Sequence, residues 1–142
     1  MRFAEEFVSR RAVVIVRLSL ALVWIWTGVI CLAVAPIAES EQLVARIGIQ
    51  GAAARWIVWL TSAFEIVLGV AVASGRWPVV IAWTQIVLIV GFTAIITAFM
   101  PEWWLHPFGP ISKNMVLVAA AWAASGGAGE SSTQKPEIAE RP

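Results

Sequence analysis

The sequence is poor in charged and reactive side chains. Only 13% of its 142 residues are charged, and it contains one cysteine, one histidine and no tyrosine. Soluble domains carry about a quarter charged residues, so a soluble core of this length would not hide the 60% of residues that are hydrophobic. The single cysteine, Cys31, excludes an intramolecular disulfide and a CxxC redox pair. A net charge of +1 gives no indication of a nucleic-acid partner.

Sequence motifs for catalysis are also missing. The chain has no glycine-rich phosphate loop, no HExxH pair and no serine-triad signature. His106 has no second histidine or cysteine at a metal-ligand spacing, so we predict no metal site. We therefore assign no catalytic residues and expect no catalytic activity from the isolated chain.

Long apolar runs predict an all-α fold, a four-transmembrane-helix bundle with a non-helical loop before the fourth helix. The predicted spans cover about 12–35, 53–74, 78–99 and 111–127. The last run reaches spanning length only if Lys113 and Asn114 belong to its helix. The first run is longer than the core of an export signal, which favours an uncleaved span. Residues 1–11 are predicted to be an N-terminal cytoplasmic segment, and 128–142 a disordered tail.

The distribution of basic residues predicts the orientation of the spans. With the N-terminus inside, seven basic residues lie on the cytoplasmic side, namely Arg2, Arg10, Arg11, Arg17, Arg76, Lys135 and Arg141. Three fall on the opposite side, namely Arg46, Arg55 and Lys113. This asymmetry favours both termini inside, with residues 103–114 facing outside.

Two charged residues are placed near the hydrocarbon by the span lengths. Glu65 lies near the centre of the second span, and Lys113 lies within the fourth. Because an unpaired ionised carboxylate is costly inside a membrane, we predict that Glu65 faces the bundle interior and pairs with Lys113. Asn114 and Gln85 would supply further hydrogen bonds to this buried polar constellation. Two alternatives stay open: the pair only fixes helix register, or Lys113 extends to the lipid headgroups.

A second group of residues is predicted to line a ligand site. Steps of three or four residues along the first span gather its small and polar groups on one face, which either packs against other helices or borders a cavity. The candidate ligand-lining residues are Arg17, Trp24, Thr27, Trp103, His106 and Phe108. A quinone headgroup near His106 and Lys113 would suit this set. An exposed loop histidine and interfacial tryptophans are the simpler interpretation.

Three stretches together resemble the DoxX-like family of small integral membrane proteins. They are Arg17 with Trp24 and Thr27–Gly28, then Phe64–Gly69, and then His106–Asn114, the most specific of the three. The resemblance covers about Arg17 to Ala124 and implies a four-helix membrane bundle. It also implies that members of the family have polar residues at the positions of Glu65, Lys113 and Asn114. It implies no set of catalytic residues. Named relatives are associated with thiosulfate:quinone oxidoreduction and with membrane oxidoreductase complexes.

Three functional hypotheses follow from these observations. The first is a small accessory or scaffold subunit of a larger membrane complex, with electron transfer as the favoured class of complex. The second is a quinone-binding subunit of a DoxX-type oxidoreductase, and the third is a small-solute carrier with a protonatable Glu65. The expected partners are the lipid bilayer and other membrane subunits, in a bacterial inner (cytoplasmic) membrane. No intrinsic cofactor is expected, and a quinone is the one cofactor class considered.

Overall fold

Every regular element in the part of the chain that the structure describes is helical. The computed structural model describes residues 2–34, 37–105 and 111–126. Its five α-helices are α1 (Arg2–Val29), α2 (Ile37–Ala45), α3 (Ala52–Ser74), α4 (Pro78–Phe99) and α5 (Lys113–Ala124). A π-helical segment, Ile30–Val34, extends α1, and a 3-10 helix, Pro101–Leu105, follows α4. The all-α prediction is confirmed, whereas the tail at 128–142 and the centre of the predicted loop at 106–110 lie outside the described residues.

Among the described residues, three helical segments are long and apolar enough to cross a membrane. They are Arg10–Ala33, Ala52–Ser74 and Pro78–Phe99, close to the first three predicted spans. The stretch predicted as the fourth span forms α5, which has only 12 residues. At 1.5 Å per residue α5 is about 18 Å long, short of a hydrocarbon core about 30 Å thick. Helix α1 begins at Arg2, earlier than the predicted start of the first span at about residue 12.

The helices surround a core that is centred on α1. Helix α1 packs most extensively against α3 and also contacts α5, which in turn packs against α4. Helices α3 and α4 contact each other little, although only a short turn joins them. The buried core cluster consists of Leu20, Ala21, Trp24, Leu68, Val72, Ile89 and Ala121. The face of the first span that gathers Ala21 and Trp24 therefore packs into the bundle.

Two glycines allow α1 and α3 to approach closely in antiparallel orientation. A Cβ on Gly28 would lie 2.6 Å from the carbonyl oxygen of Ser62, and a Cβ on Gly69 would lie 2.6 Å from Cγ1 of Ile25. Both distances are too short for carbon, so each position requires glycine at this helix separation. Small residues of this kind are the usual means by which membrane helices reach close contact.

The two ends of the bundle are built differently. At one end, here called the turn end, Gly75 adopts φ +66° and closes α3 by donating its N–H to the carbonyl oxygen of Val72. Trp77 adopts φ +48°, and Pro78 then begins α4, where its missing N–H leaves no donor unpaired. This short connection reverses the chain between two spans without any intervening element.

The opposite end, here called the cap end, is covered by α2 and the 3-10 helix. Nε of Arg55 donates to Oε1 of Glu41 at 2.7 Å, which ties α3 to α2. Arg46 forms an ion pair with Glu102, which ties the end of α2 to the 3-10 helix. The backbone N–H of Glu102 and the Arg46 guanidinium lower the pKa of the Glu102 carboxyl. This contact therefore stabilises the fold above the ordinary pKa of a glutamate and is lost as the pH falls through the lowered value.

Replacing Gly69 by alanine should destabilise the protein, because the new methyl group overlaps Ile25 and forces α1 and α3 apart. We expect the free energy of unfolding to fall by about 1–3 kcal/mol, the usual cost of overpacking. Gly91→Ala is the matched control, since a Cβ on Gly91 meets no atom within 4 Å. Both variants gain about the same helix propensity, so their difference isolates the steric effect. Denaturant titration in detergent micelles measures it, and equal stabilities would contradict the close contact.

Candidate functional site

A buried hydrogen bond joins α1 to α4 in the middle of the bundle. The indole Nε1 of Trp24 donates to Oε1 of Gln85 at 2.9 Å, and both side chains are buried. The Gln85 amide nitrogen donates in turn to the carbonyl oxygen of Ile81 at 3.3 Å. Gln85, predicted to serve the Glu65 constellation, is thus engaged with Trp24. Because a buried indole N–H needs an acceptor, this contact fixes the relative height of the two helices.

Glu65 lies inside the bundle near the contact between α1 and α3. Glu65 is only 8% exposed, and Ser62, one turn earlier on α3, is buried as well. The thiol of Cys31 on the neighbouring π-helical segment faces the hydroxyls of Ser40 and Ser62. Within the described ranges Glu65 forms no ion pair. The carboxyl group of Glu65 is therefore buried near the Cys31 thiol, without a basic partner in the described ranges.

The predicted pair between Glu65 and Lys113 does not form. Lys113 is exposed at the first position of α5, and the two ion pairs of the described residues are those of the cap end. An exposed ammonium agrees with the alternative in which Lys113 extends to the lipid headgroups. Asn114 does not bind Glu65 either, because its amide nitrogen donates to Oγ1 of Thr93 at 2.8 Å.

Helix packing and helix register together explain why the pair is absent. Helix α5 packs against α4 and α1 and does not contact α3, the helix that carries Glu65. Thr93, the partner of Asn114, lies eight residues beyond Gln85 along α4. This is about 12 Å toward the cap end. Glu65 lies opposite Gly28, which is four residues beyond Trp24 on α1, or about 6 Å in the same direction. Since Trp24 and Gln85 are level, the start of α5 lies about 6 Å nearer the cap end than the carboxylate does.

An apolar groove runs between α4 and α5 near the cap end. It offers about 270 Å³ and is bordered by apolar side chains together with Thr93, Asn114 and Trp104. The indole Nε1 of Trp104 donates to Oγ1 of Thr97 at 3.0 Å, and this bond fixes the ring at the mouth of the groove. The groove thus combines an apolar wall with a small number of polar groups, as small-molecule sites commonly do.

A second, smaller cavity lies at the turn end. Its volume is about 20 Å³, room for about one water molecule below an open mouth. Arg17, Arg76, Gly75 and Gln85 contribute to its wall. Arg17, one of the predicted ligand-lining residues, therefore borders a cavity. Glu65 borders neither this cavity nor the α4–α5 groove. The carrier hypothesis accordingly gains no support from these two spaces.

The remaining predicted ligand-lining residues do not converge in the described part of the chain. Thr27 is exposed, and its hydroxyl donates to the carbonyl oxygen of Val23 at 2.8 Å. Trp103 is half-buried in the 3-10 helix at the cap end, far from Arg17 at the turn end. His106 and Phe108 lie outside the described residues, so their predicted roles stay predictions.

The predicted site residues did not include Thr93, Trp104 or Arg76, which border the cavities. A pair of threonines four residues apart on an otherwise apolar span was the available signal for Thr93. Arg76 could have been found from its position directly after Gly75, because an antiparallel hairpin of spans brings that turn back beside the start of the first span. Nothing in the sequence distinguished Trp104 from the other interfacial tryptophans.

Comparison with known proteins agrees with this architecture. The sequence profile of the DoxX-like family matches residues 21–122, which extend from the buried face of α1 into the last turns of α5. No curated protein and no solved structure matches the chain. The three helices of spanning length, together with the family match, identify an integral membrane protein. The chain belongs to the DoxX-like family.

Proposed function

We propose that the protein is a small accessory or scaffold subunit that docks onto a larger membrane complex through α4. The observation that supports this proposal is an exposed row of small residues on that helix. Gly91, Ala94 and Ala98 recur at spacings of three and four, so they share one face, and all three are exposed. We call this row the α4 small face. An electron-transfer complex is the class that the family resemblance favours.

The glycines of the spans differ in how they are used. Gly28 and Gly69 each accommodate a neighbouring helix, and a Cβ at either position would collide with it. A Cβ on Gly91 would meet nothing within 4 Å. Glycine costs about 1 kcal/mol of helix propensity relative to alanine, and no contact with the described residues offsets that cost at Gly91. A transmembrane helix of another subunit, packed against the α4 small face, would offset it.

An apolar exposed surface does not by itself support docking, because lipid covers such surfaces equally well. Between helices in lipid there is little hydrophobic driving force, and association depends on close van der Waals contact. Large side chains such as Trp83 and Val87 keep a neighbour at a distance, whereas Gly91 and Ala94 allow its backbone to approach. The α4 small face therefore suits close packing by another helix better than contact with lipid acyl chains.

We further propose that α5 completes a fourth crossing and that both termini lie on the cytoplasmic side of a bacterial inner membrane. Asn114 contacts Thr93 toward the cap end of α4, and Ala124 borders the turn-end cavity beside Pro78. Helix α5 thus runs beside most of α4 despite its 12 residues. The basic residues near the turn end support a cytoplasmic position for that end.

The docking proposal predicts that Gly91→Leu and Ala98→Leu release the protein from its complex. Added bulk on the α4 small face should prevent close approach of the partner helix, while the isolated fold stays intact because the face is open. Affinity-tagged protein, extracted from native membranes in a mild detergent, is analysed by native electrophoresis and by identification of co-purifying membrane proteins. The wild-type protein should migrate with a partner subunit, and the two variants should migrate alone.

The matched control for docking is Ala63→Leu, which adds the same bulk at an exposed position of α3. It should leave the complex unchanged. A wild-type protein that migrates as a free monomer would contradict the proposal, as would a complex that survives Gly91→Leu. A complex made only of copies of this chain would replace the accessory role with self-association.

Quinone binding in the α4–α5 groove is the second candidate function. The groove offers about 270 Å³, just below the usual range for small-molecule sites, about 300–1,000 Å³. Its apolar walls suit an isoprenoid tail, and the Trp104 ring suits a flat headgroup. The Asn114 amide nitrogen uses one hydrogen on Thr93 and retains a second for a quinone carbonyl. Lys113, at the start of the same helix, lies next to this position.

Quinone binding predicts that Asn114→Leu weakens the affinity of the reconstituted protein for decylubiquinone by about tenfold or more, the usual effect of losing a buried hydrogen bond. Quenching of tryptophan fluorescence measures the affinity. Met115→Leu is the control, because it preserves the volume of another side chain in the groove wall without removing a polar group. If Asn114→Leu binds the quinone as tightly as the wild-type protein, the groove is not the site.

A further inference from the structure

The side chain of Arg17 is held at the turn end with an unsatisfied donor. Its Nε is buried and has no hydrogen-bond partner among the residues that the structure describes. Arg17 also forms no ion pair within those residues. A guanidinium is always charged, and a buried donor without a hydrogen-bond partner is costly. Arg17 as a whole is half-buried, so its guanidinium lies where an anion from outside the described part of the chain can compensate its charge.

The fold reserves space for this guanidinium. A Cβ on Gly75 would collide with Nη1 of Arg17 and would lie 2.8 Å from its Cζ. The absence of a side chain at Gly75 thus lets the guanidinium lie against the α3–α4 turn. Because Gly75 ends a membrane-spanning helix and Pro78 begins the next, Arg17 is held level with the membrane surface, in the zone of the lipid headgroups.

A second arginine borders the same cavity. Arg76 follows Gly75 directly, is exposed, and contributes to the cavity wall together with Arg17. The polar amide of Gln85 lies deeper, and the remaining wall is apolar. No acidic residue is among the described residues that border it. Two guanidinium groups therefore border this space, and neither is paired with an acidic side chain among residues 2–34, 37–105 and 111–126.

We propose that Arg17 and Arg76 form a binding site for a phosphate-type oxyanion at the turn end of the bundle. The planar guanidinium presents paired N–H donors that match the oxygens of a phosphate, which makes arginine the preferred residue for this group. Arg17 and Arg76 border the same space, which places the two side chains to contact different oxygens of one phosphate at its mouth. The apolar wall and the headgroup level make a phospholipid the natural source, and free phosphate carries the same recognition chemistry.

The site is independent of the docking and quinone proposals, because its residues lie at the opposite end of the bundle from the α4–α5 groove and away from the α4 small face. It also differs from a general attraction of basic residues to an anionic membrane. Such attraction depends on exposed charge, whereas Arg17 is half-buried and borders a cavity. The positions of the Arg17 and Arg76 side chains, more than the net charge of the surface, should therefore determine whether the anion binds.

The test uses the full-length chain in two arms. In the lipid arm, nanodiscs of phosphatidylcholine with or without phosphatidic acid hold the protein, and native mass spectrometry after delipidation counts the retained phosphatidic acid. In the soluble arm, inorganic phosphate is titrated into protein in a neutral detergent, and the shift of the thermal unfolding midpoint is followed. Retained phosphatidic acid identifies a headgroup site, and stabilisation by inorganic phosphate identifies a free-anion site. Either result supports the proposal when the variants below remove it.

Arg17→Gln and Arg76→Gln should each weaken the binding about tenfold or more, as expected when a charged hydrogen-bonding group is lost. Arg17→Lys keeps the positive charge and removes the paired N–H donors of the guanidinium. It therefore tests whether those donors bind the phosphate if Arg17→Gln fails to fold. Arg10→Gln is the matched control, because it removes an exposed arginine two turns earlier on the same helix. It should leave the binding unchanged.

Three results would overturn the proposal. One is that neither phosphatidic acid nor phosphate binds the wild-type protein. Another is an equal loss of binding in Arg10→Gln, which would indicate general surface charge. The third concerns the carboxylates of Glu130, Glu137 and Glu140, which follow α5 in the sequence. If the triple replacement of these glutamates by glutamine creates anion binding that the wild-type chain lacks, the chain itself fills the site.

Discussion

The close contact between α1 and α3 is the constraint on which the rest of the structure depends. Gly28 and Gly69 let the two backbones approach until no side chain fits between them, and this distance fixes the antiparallel register of the pair. The same register places Arg17 against Gly75 at the turn end. It also leaves Glu65 next to the π-helical segment that contains Cys31. A change in register at one glycine would therefore move every polar group of the bundle relative to its neighbours.

Helix α4 has a different relation to the bundle. It contacts α3 little and is attached mainly through α5, through the 3-10 helix and through the hydrogen bond from Trp24 to Gln85. That bond is a single polar contact in an apolar surrounding, where an unsatisfied indole N–H or amide would be costly. It specifies one position for a helix whose apolar surface would otherwise pack in several ways. The rest of the α4 surface stays available to lipid, to a partner helix or to a ligand in the groove.

The sequence allowed the helical class and the first three spans to be predicted, because length and continuous apolar character determine them directly. It also favoured an interior position for Glu65, since an intramembrane carboxylate does not face lipid. The partner of Glu65 could not be predicted in the same way. Pairing Glu65 with Lys113 assumed that two charges inside the membrane lie at the same height, whereas the register set by Gly28 and Thr93 separates them. Periodicity assigns a residue to a face of a helix and does not give the relative heights of two helices.

The two ends of the bundle use their arginines in opposite ways. At the cap end Arg46 and Arg55 are each paired with a glutamate, so their charges hold α2 and the 3-10 helix in place. At the turn end none of the described residues covers the connection between α3 and α4, and Arg17 lies against the backbone of Gly75. A charged group without a described carboxylate nearby depends on its surroundings for compensation, and at the membrane surface those surroundings contain phosphate. The cap end is thus held together by ion pairs of the chain itself, whereas the proposed anion site would compensate the turn end from outside.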